Sequence, residues 1–122
     1  MKRPDVSEEI ARAGVAASRD KKAGDLLVLN VGSVASFADF FVICSATSDR
    51  QAFAIVDSIE ERLRGLGKKP ISIEGKSSGR WILVDYGDVV FHVFLEEARR
   101  FYGLERLWGD AGNETERFSA AL

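Results

Sequence analysis

Residues 81–110 read WILVDYGDVVFHVFLEEARRFYGLERLWGD, and this stretch decides the fold. Trp81 to Asp85 and Val89 to Leu95 are short apolar runs rich in branched and aromatic residues, the mark of strands. Between them Asp85-Tyr86-Gly87-Asp88 predicts a tight turn. Gly87 supplies a positive φ there, and the acids bond local N–H groups. The 89–95 run is apolar on both faces and so belongs inside a sheet rather than at its edge. Side chains alternate along a strand, so Trp81, Leu83 and Asp85 share one face while Ile82, Val84 and Tyr86 share the other. One face is expected to pack on helices and the other to take a partner. Charged Glu96 to Tyr102 predicts a short helix, and Tyr102, Leu104, Leu107 and Trp108 then crowd together near the end of the chain. Aromatic groups are costly to leave in water, so such a crowd points to packing or to a docking surface.

Upstream the pattern alternates between helix and strand. Pro4, a capping pair at Asp5 and Glu8, and Ile10, Ala13 and Ala17 at helical intervals predict a helix from Asp5 to Lys22. Gly24-Asp25 stops it. Leu26 to Val31 and Phe40 to Ser45 are apolar runs too short for helices, and both read as strands. Ser48 and Gln51 have capping-box spacing ahead of Ala52, Ile55, Val56, Ile59, Leu63 and Leu66, which predicts the clearest helix. Gly65 and Gly67 end it, and Pro70 prevents its resumption. Ile71 and Ile73 alternate with polar residues, giving a half-buried strand. The expected architecture is a single α/β domain over residues 1–111, a mixed and roughly five-stranded sheet with helices packed on it. A solvated tail is expected over 112–122.

A chain of 122 residues is long enough for one core and too short for two. It has no run of about 18 apolar residues, so no membrane span is expected. Acids within the first ten residues and the lack of an apolar h-region argue against a secretory or transit signal. Cys44 is the only cysteine, and a lone thiol in an apolar run fits a reducing cytoplasm. Net charge is −2, a poor match for direct binding of a phosphate backbone. Residues 1–70 carry eleven basic and ten acidic side chains, whereas residues 71–122 carry six and nine. The acidic half suits a basic partner protein better than nucleic acid; the alternative is simply a solvated acidic surface.

Motifs for chemistry are incomplete. Gly75-Lys76-Ser77 lacks the upstream glycine of a phosphate loop, because Pro70 occupies that position and has no N–H, and it leads into a strand rather than a helix. Val31-Gly32-Ser33 followed by Asp39-Phe40-Phe41 is similar to the nucleotidyltransferase pattern, in which carboxylates two residues apart hold Mg²⁺. Phe41 stands where the second acid belongs; the alternative is that Gly32 and Ser33 simply make a turn. His92 is the only histidine, with no second histidine or cysteine pair to complete a zinc site, and it reads as a hydrogen-bonded core residue. No cofactor or metal is expected. The enzyme alternative would place Asp39 and Asp85 on neighbouring strands for Mg²⁺-dependent nucleotide transfer.

Several short blocks together carry a resemblance. Asp39-Phe40-Phe41-Val42-Ile43, Ala46-Thr47-Ser48 and Arg50-Gln51 come first. Gly79 to Trp81, Asp85 to Val90, His92-Val93-Phe94, Arg100-Phe101-Tyr102, Leu104-Glu105, Leu107-Trp108 and Asp110-Ala111 follow. In this order they resemble the ribosomal silencing factors, the RsfS or Iojap family, over about Ile10 to Ala111. Phe91 departs from the pattern, where a smaller β-branched residue is expected. The resemblance implies a nucleotidyltransferase-like fold without transferase activity. It further implies binding to a large-subunit ribosomal protein at the subunit interface, the fourteenth of the L series. A factor bound there obstructs joining of the small subunit and lowers translation when nutrients are short. It also implies a role for organellar relatives in ribosome assembly, and homodimers formed through an overlapping surface. Carried onto this chain, the expected contact residues are Trp81, Asp85, Tyr86, Asp88, Tyr102, Leu104 and Trp108, with Lys76 as a further candidate.

Overall fold

The structure is a computed structural model that describes residues 4–120, with side chains described over 6–118. Helix α1 (Pro4–Asp20) leads into strands β1 (Gly24–Asn30) and β2 (Phe40–Ala46). Helix α2 (Asp49–Arg64), strands β3 (Ser72–Glu74), β4 (Trp81–Asp85) and β5 (Val89–Leu95), then short helices α3 (Glu96–Tyr102) and α4 (Leu104–Leu107) follow. Strand β6 (Gly112–Asn113) and helix α5 (Thr115–Ala120) complete the described chain. The bounds of β4, β5 and α3 coincide with the sequence expectation.

The sheet has the order β3-β4-β5-β2-β1-β6. Strand β2 pairs parallel with β5, from Phe40 opposite Val89 to Ala46 opposite Leu95, and the other pairs are antiparallel. The sheet thus has six strands rather than five, the sixth being the two-residue β6 on the outer edge of β1. Both faces of β2 and almost all of β5 are buried, as a central position demands.

Alternation divides the core into two layers. Phe40, Val42, Ile82, Val84, Tyr86, Val89, Phe91 and Val93 point to one face and pack with α1, α2 and Phe118 of α5. Leu29, Phe41, Ile43, Val90 and Phe94 point to the other, against which Ala98, Leu104, Trp108, Ala111 and the loop after β1 pack. The first face carries two long helices and the second two short ones. In the first layer Gly14 of α1 lies directly over the Phe91 ring: a Cβ on it would stand 2.0 Å from Phe91 Cε1.

Local signals account for the element ends. Ser48 caps α2 by accepting from the Gln51 N–H at 3.1 Å. Gln51 Oε1 reaches back one residue further than a capping box requires, to the Thr47 N–H at 2.7 Å. At the other end Gly67, at φ 77°, lets the Lys68 N–H reach Leu63 and its own N–H reach Arg64, a Schellman closure. Glu8 makes an ion pair with Arg117, while the Asp5 side chain of the expected capping pair lies outside the described residues.

The tail expected to be solvated is instead part of the fold as far as Phe118. The Glu114 N–H donates to the Val28 carbonyl at 2.8 Å, and Thr115 Oγ1 accepts from the Val28 N–H at 2.9 Å. Phe118 is fully buried, edge-on to Phe40 at 5.1 Å, with the Arg12 and Arg117 guanidiniums over its ring. A single apolar anchor in a short charged segment leaves no periodicity to read, yet it closes the first layer and covers the β1 edge.

Candidate functional site

The second face of the sheet gathers most of the aromatic groups. Trp81 at the start of β4 stacks on Phe94 of β5 at 4.9 Å and leans on Tyr102 of α3 at 4.9 Å. Phe101 packs against Tyr102 at 5.1 Å and is 77% exposed. Across the sheet Phe41 of β2 meets Trp108 edge-on at 5.1 Å, and Phe37 covers both. The floor between the two groups is His92, 4.8 Å from the Phe41 ring and 6.1 Å from Trp81. The result is a continuous aromatic face that runs over β4, β5 and β2 from Tyr102 to Trp108. Phe37, Phe101 and Tyr102 expose roughly half or more of their surface along it. An exposed apolar patch of this kind on an otherwise charged surface marks an interaction site.

The geometry sorts the expected contact residues. Trp81, Tyr102 and Trp108 come together on this face. Leu104 also lies on it but is 8% exposed and serves as floor rather than contact. Tyr86 is corrected: it is 8% exposed and sits in the opposite layer, edge-on to Phe91. Burial, with Glu60 nearby, pushes its phenol up to about 12. Alternation from Ile82 and Val84 already put Tyr86 on that inner face. Asp85 and Asp88 belong to the turn at the far end of the β4–β5 hairpin. Asp85 Oδ1 accepts from the Gly87 N–H at 2.7 Å, and the Asp88 carbonyl accepts from the Asp39 N–H at 2.7 Å. The Asp85 carboxylate thus helps close the turn, and the Asp88 backbone links the turn to the segment before β2. Lys76 sits in the loop before β4 and pairs loosely with Glu60 at 3.9 Å. Phe37 and Phe101 were not among the expected contacts, and Leu107 was named only in the apolar crowd near the end of the chain. Their signal was the placement of bulky apolar residues among charged ones, which identifies a patch only once the helices are placed.

Asp39 and Asp85 do not lie on neighbouring strands. Asp39 precedes β2, Asp85 ends β4, and β5 runs between them. Asp39 Oδ2 accepts from Ser7 Oγ at 2.5 Å, which ties the loop end to α1. Among the described residues no group of three or more acids, cysteines or histidines is placed to hold a metal. Cys44 is buried, and desolvation pushes its thiol up to about 12, the state of an inert core residue.

Arg99 braces the aromatic face from one side. Its guanidinium donates to the Asp25 carbonyl at 2.6 Å, to Ser45 Oγ at 2.8 Å and to Glu105 Oε2 at 3.1 Å. One side chain therefore holds β1, β2, α3 and α4 in register, and fixes the helices that carry Tyr102 and Trp108.

Comparison with known proteins agrees with this fold. Residues 4–121 match the family model described as "Ribosomal silencing factor during starvation". The chain is 42% identical over 104 residues to the Ribosomal silencing factor RsfS of Bacillus subtilis, covering 85% of this chain and 88% of that one. It is 37% identical over 93 residues to "Mitochondrial assembly of ribosomal large subunit protein 1" of Mus musculus, covering 74% and 41%. A crystal structure of a protein from Chromobacterium violaceum superposes with a TM-score of 0.81 at 36% identity, over 83% of this chain and 84% of that one. Another, from Bacillus halodurans, gives 0.75 at 38% identity over 82% and 93%.

Proposed function

The chain belongs to the ribosomal silencing factor family, whose role is regulatory rather than catalytic, and on that premise we propose that it represses translation by steric obstruction. It docks on the large ribosomal subunit in the cytoplasm, on a basic ribosomal protein at the subunit interface, and its bulk keeps the small subunit from joining. The observation that carries this reading is the aromatic face from Tyr102 to Trp108, left uncovered on the sheet side that lacks long helices. Such a function needs affinity and a rigid shape and no chemistry. Tyr and Trp are the residue types that dominate binding energy in desolvated contacts. The excess of acids in the C-terminal half favours a basic partner and speeds encounter with it. The same face can pair two copies of the chain, in which case self-association and ribosome binding compete.

Transferase chemistry gains no support, since the acids it would need are separated by β5, Asp39 accepting from Ser7 of α1 and Asp85 from its own turn. Assembly of the large subunit, the activity named for the mouse relative, is a second reading that uses the same docking step.

The test is sedimentation of the purified protein with separated large and small subunits. Co-migration with the large subunit is expected, with fewer joined ribosomes when the small subunit is added. Trp108→Ala and Tyr102→Ala should each weaken binding by roughly 30-fold or more, the scale of an aromatic anchor worth about 2 kcal/mol. Folded variants that bind as wild type would remove the aromatic face from the reading. Migration at the top of the gradient would remove the ribosome.

A further inference from the structure

His92 is the one strongly polar residue in the apolar run of β5, and it is 3% exposed at the centre of the sheet. A buried polar ring costs stability that an aliphatic residue there would not, so its hydrogen bonds indicate what it does. The Trp81 indole Nε1–H lies 3.2 Å from His92 Nδ1. An indole nitrogen only donates, so Nδ1 accepts and carries no proton. The neutral ring then holds its proton on Nε2, which is buried without a hydrogen-bond partner among the described residues. Burial also pushes the histidine down to about 3, far below its ordinary value, and keeps it neutral. The ring has a second neighbour: its edge-on contact with Phe41 connects it to the group that carries Trp108. His92 is thus the joint between the two tryptophan-led halves of the aromatic face.

We infer that His92 is a positioning residue of the docking face, and that its Nδ1 acceptor fixes the Trp81 indole in the orientation that the large subunit recognises. The inference rests on the docking reading above. Trp81 packs against Phe94 on one side and Tyr102 on another, and ring contacts are only weakly directional, so they leave a tethered indole some freedom about its side-chain torsions. A directional bond from the rigid central strand removes that freedom, and docking does not then have to supply the order.

The test uses His92→Asn and His92→Gln in the full chain. Asparagine places an amide oxygen near the position of Nδ1, whereas the longer glutamine places its amide near that of Nε2. Both are neutral and polar, so both carry a similar folding cost. Two readouts are needed: the nuclear magnetic resonance of the Trp81 indole N–H, assigned with Trp81→Phe, and affinity for the large subunit. His92→Asn should keep the hydrogen-bonded indole signal and bind nearly as wild type. His92→Gln should lose that signal and bind about five- to tenfold more weakly, the scale of one hydrogen bond. A His92→Gln protein that loses the indole signal and binds as wild type overturns the inference. So does one that weakens binding with the signal unchanged. If neither variant folds, the ring nitrogens of the wild-type protein decide, because the chain has a single histidine. An acceptor-type Nδ1 with a protonated Nε2 supports the inference, and the opposite tautomer overturns it. A wild-type protein that shows the indole bond but does not bind the large subunit defeats the docking reading and leaves the positioning of Trp81 established.

Discussion

Gly14→Ala should destabilise the protein although it improves a helix. Gly14 lies in the interior of α1, where alanine is ordinarily better than glycine by about 1 kcal/mol. Here the added methyl would stand 2.0 Å from Phe91 Cε1 and 2.1 Å from its Cζ. Comfortable carbon contacts begin near 3.5 Å, so the ring or the helix must give by about 1.5 Å. The ring has little room. Phe91 is 1% exposed, sits on the central strand between Val42 and Val84, and meets Tyr86 edge-on. Overpacking of this kind costs about 1–3 kcal/mol or more, and a forced shift this large belongs at the upper end. Subtracting the helix gain leaves a net loss of about 1–2 kcal/mol. Phe91→Val alone should also destabilise, since it leaves a cavity under a helix with no side chain at that point. The double variant Gly14→Ala with Phe91→Val should be more stable than the sum of the two losses, by a coupling of about 1–3 kcal/mol. Urea unfolding of the four proteins measures each term. A stabilised Gly14→Ala protein, or two losses that simply add, would refute the reasoning. The pair also accounts for the ring on this strand, where the resemblance led to the expectation of a smaller residue: the helix makes room for it by omitting a side chain.

Other perturbations follow from the same structure. Phe118→Ala should cost about 3–5 kcal/mol, the range for a fully buried phenylalanine, and would be read from the urea midpoint. Little loss there would mean that α5 does not close the core. Arg99→Met should cost about 2–3 kcal/mol, because it strips donors from the Asp25 carbonyl, Ser45 and Glu105 at a largely buried site. Thermal unfolding checks it, and ribosome binding should fall with it as α3 and α4 lose their brace. Stability should also decline as the medium is acidified below the ordinary histidine range. The unfolded chain takes up a proton on His92 near pH 6.5, whereas the folded chain refuses it down to about 3. The contribution is therefore whole above pH 6.5 and is lost progressively toward pH 3, by about 1.4 kcal/mol per pH unit. His92→Asn should show a flatter profile between pH 6.5 and 5, and an unchanged slope would contradict the burial of a neutral ring.

Much of the fold was legible because its signals are local. Alternation in β4, the turn at Gly87 and the charged start of α3 fixed those boundaries, and alternation also separated Trp81 from Tyr86. Other features depend on strand order, which no local pattern states. Asp39 precedes β2 and Asp85 ends β4, strands that a mixed sheet can place side by side, and only the order β3-β4-β5-β2 inserts β5 between them. Phe118 was unreadable because its burial is decided by α1, far away in sequence. Phe101 and Leu107 sit in the same charged helical stretch as the buried Ala98 and Leu104. Which of these faces water depends on how two short helices lie on the sheet, and sequence spacing does not record it.

The parallel pairing of β2 with β5 has a consequence for how the chain is made. Strand β2 is buried on both faces and pairs on one side with β1, which precedes it, and on the other with β5, which emerges only after α2, β3 and β4. While synthesis lies between Ala46 and Val89, a largely apolar strand stands as an open edge, the kind of surface that invites mispairing. Contacts that close so long a stretch of chain also form slowly. A member of a family that silences ribosomes therefore cannot complete its own centre until a ribosome has nearly finished making it, and its yield in the cell should depend on how steadily that one stretch is translated.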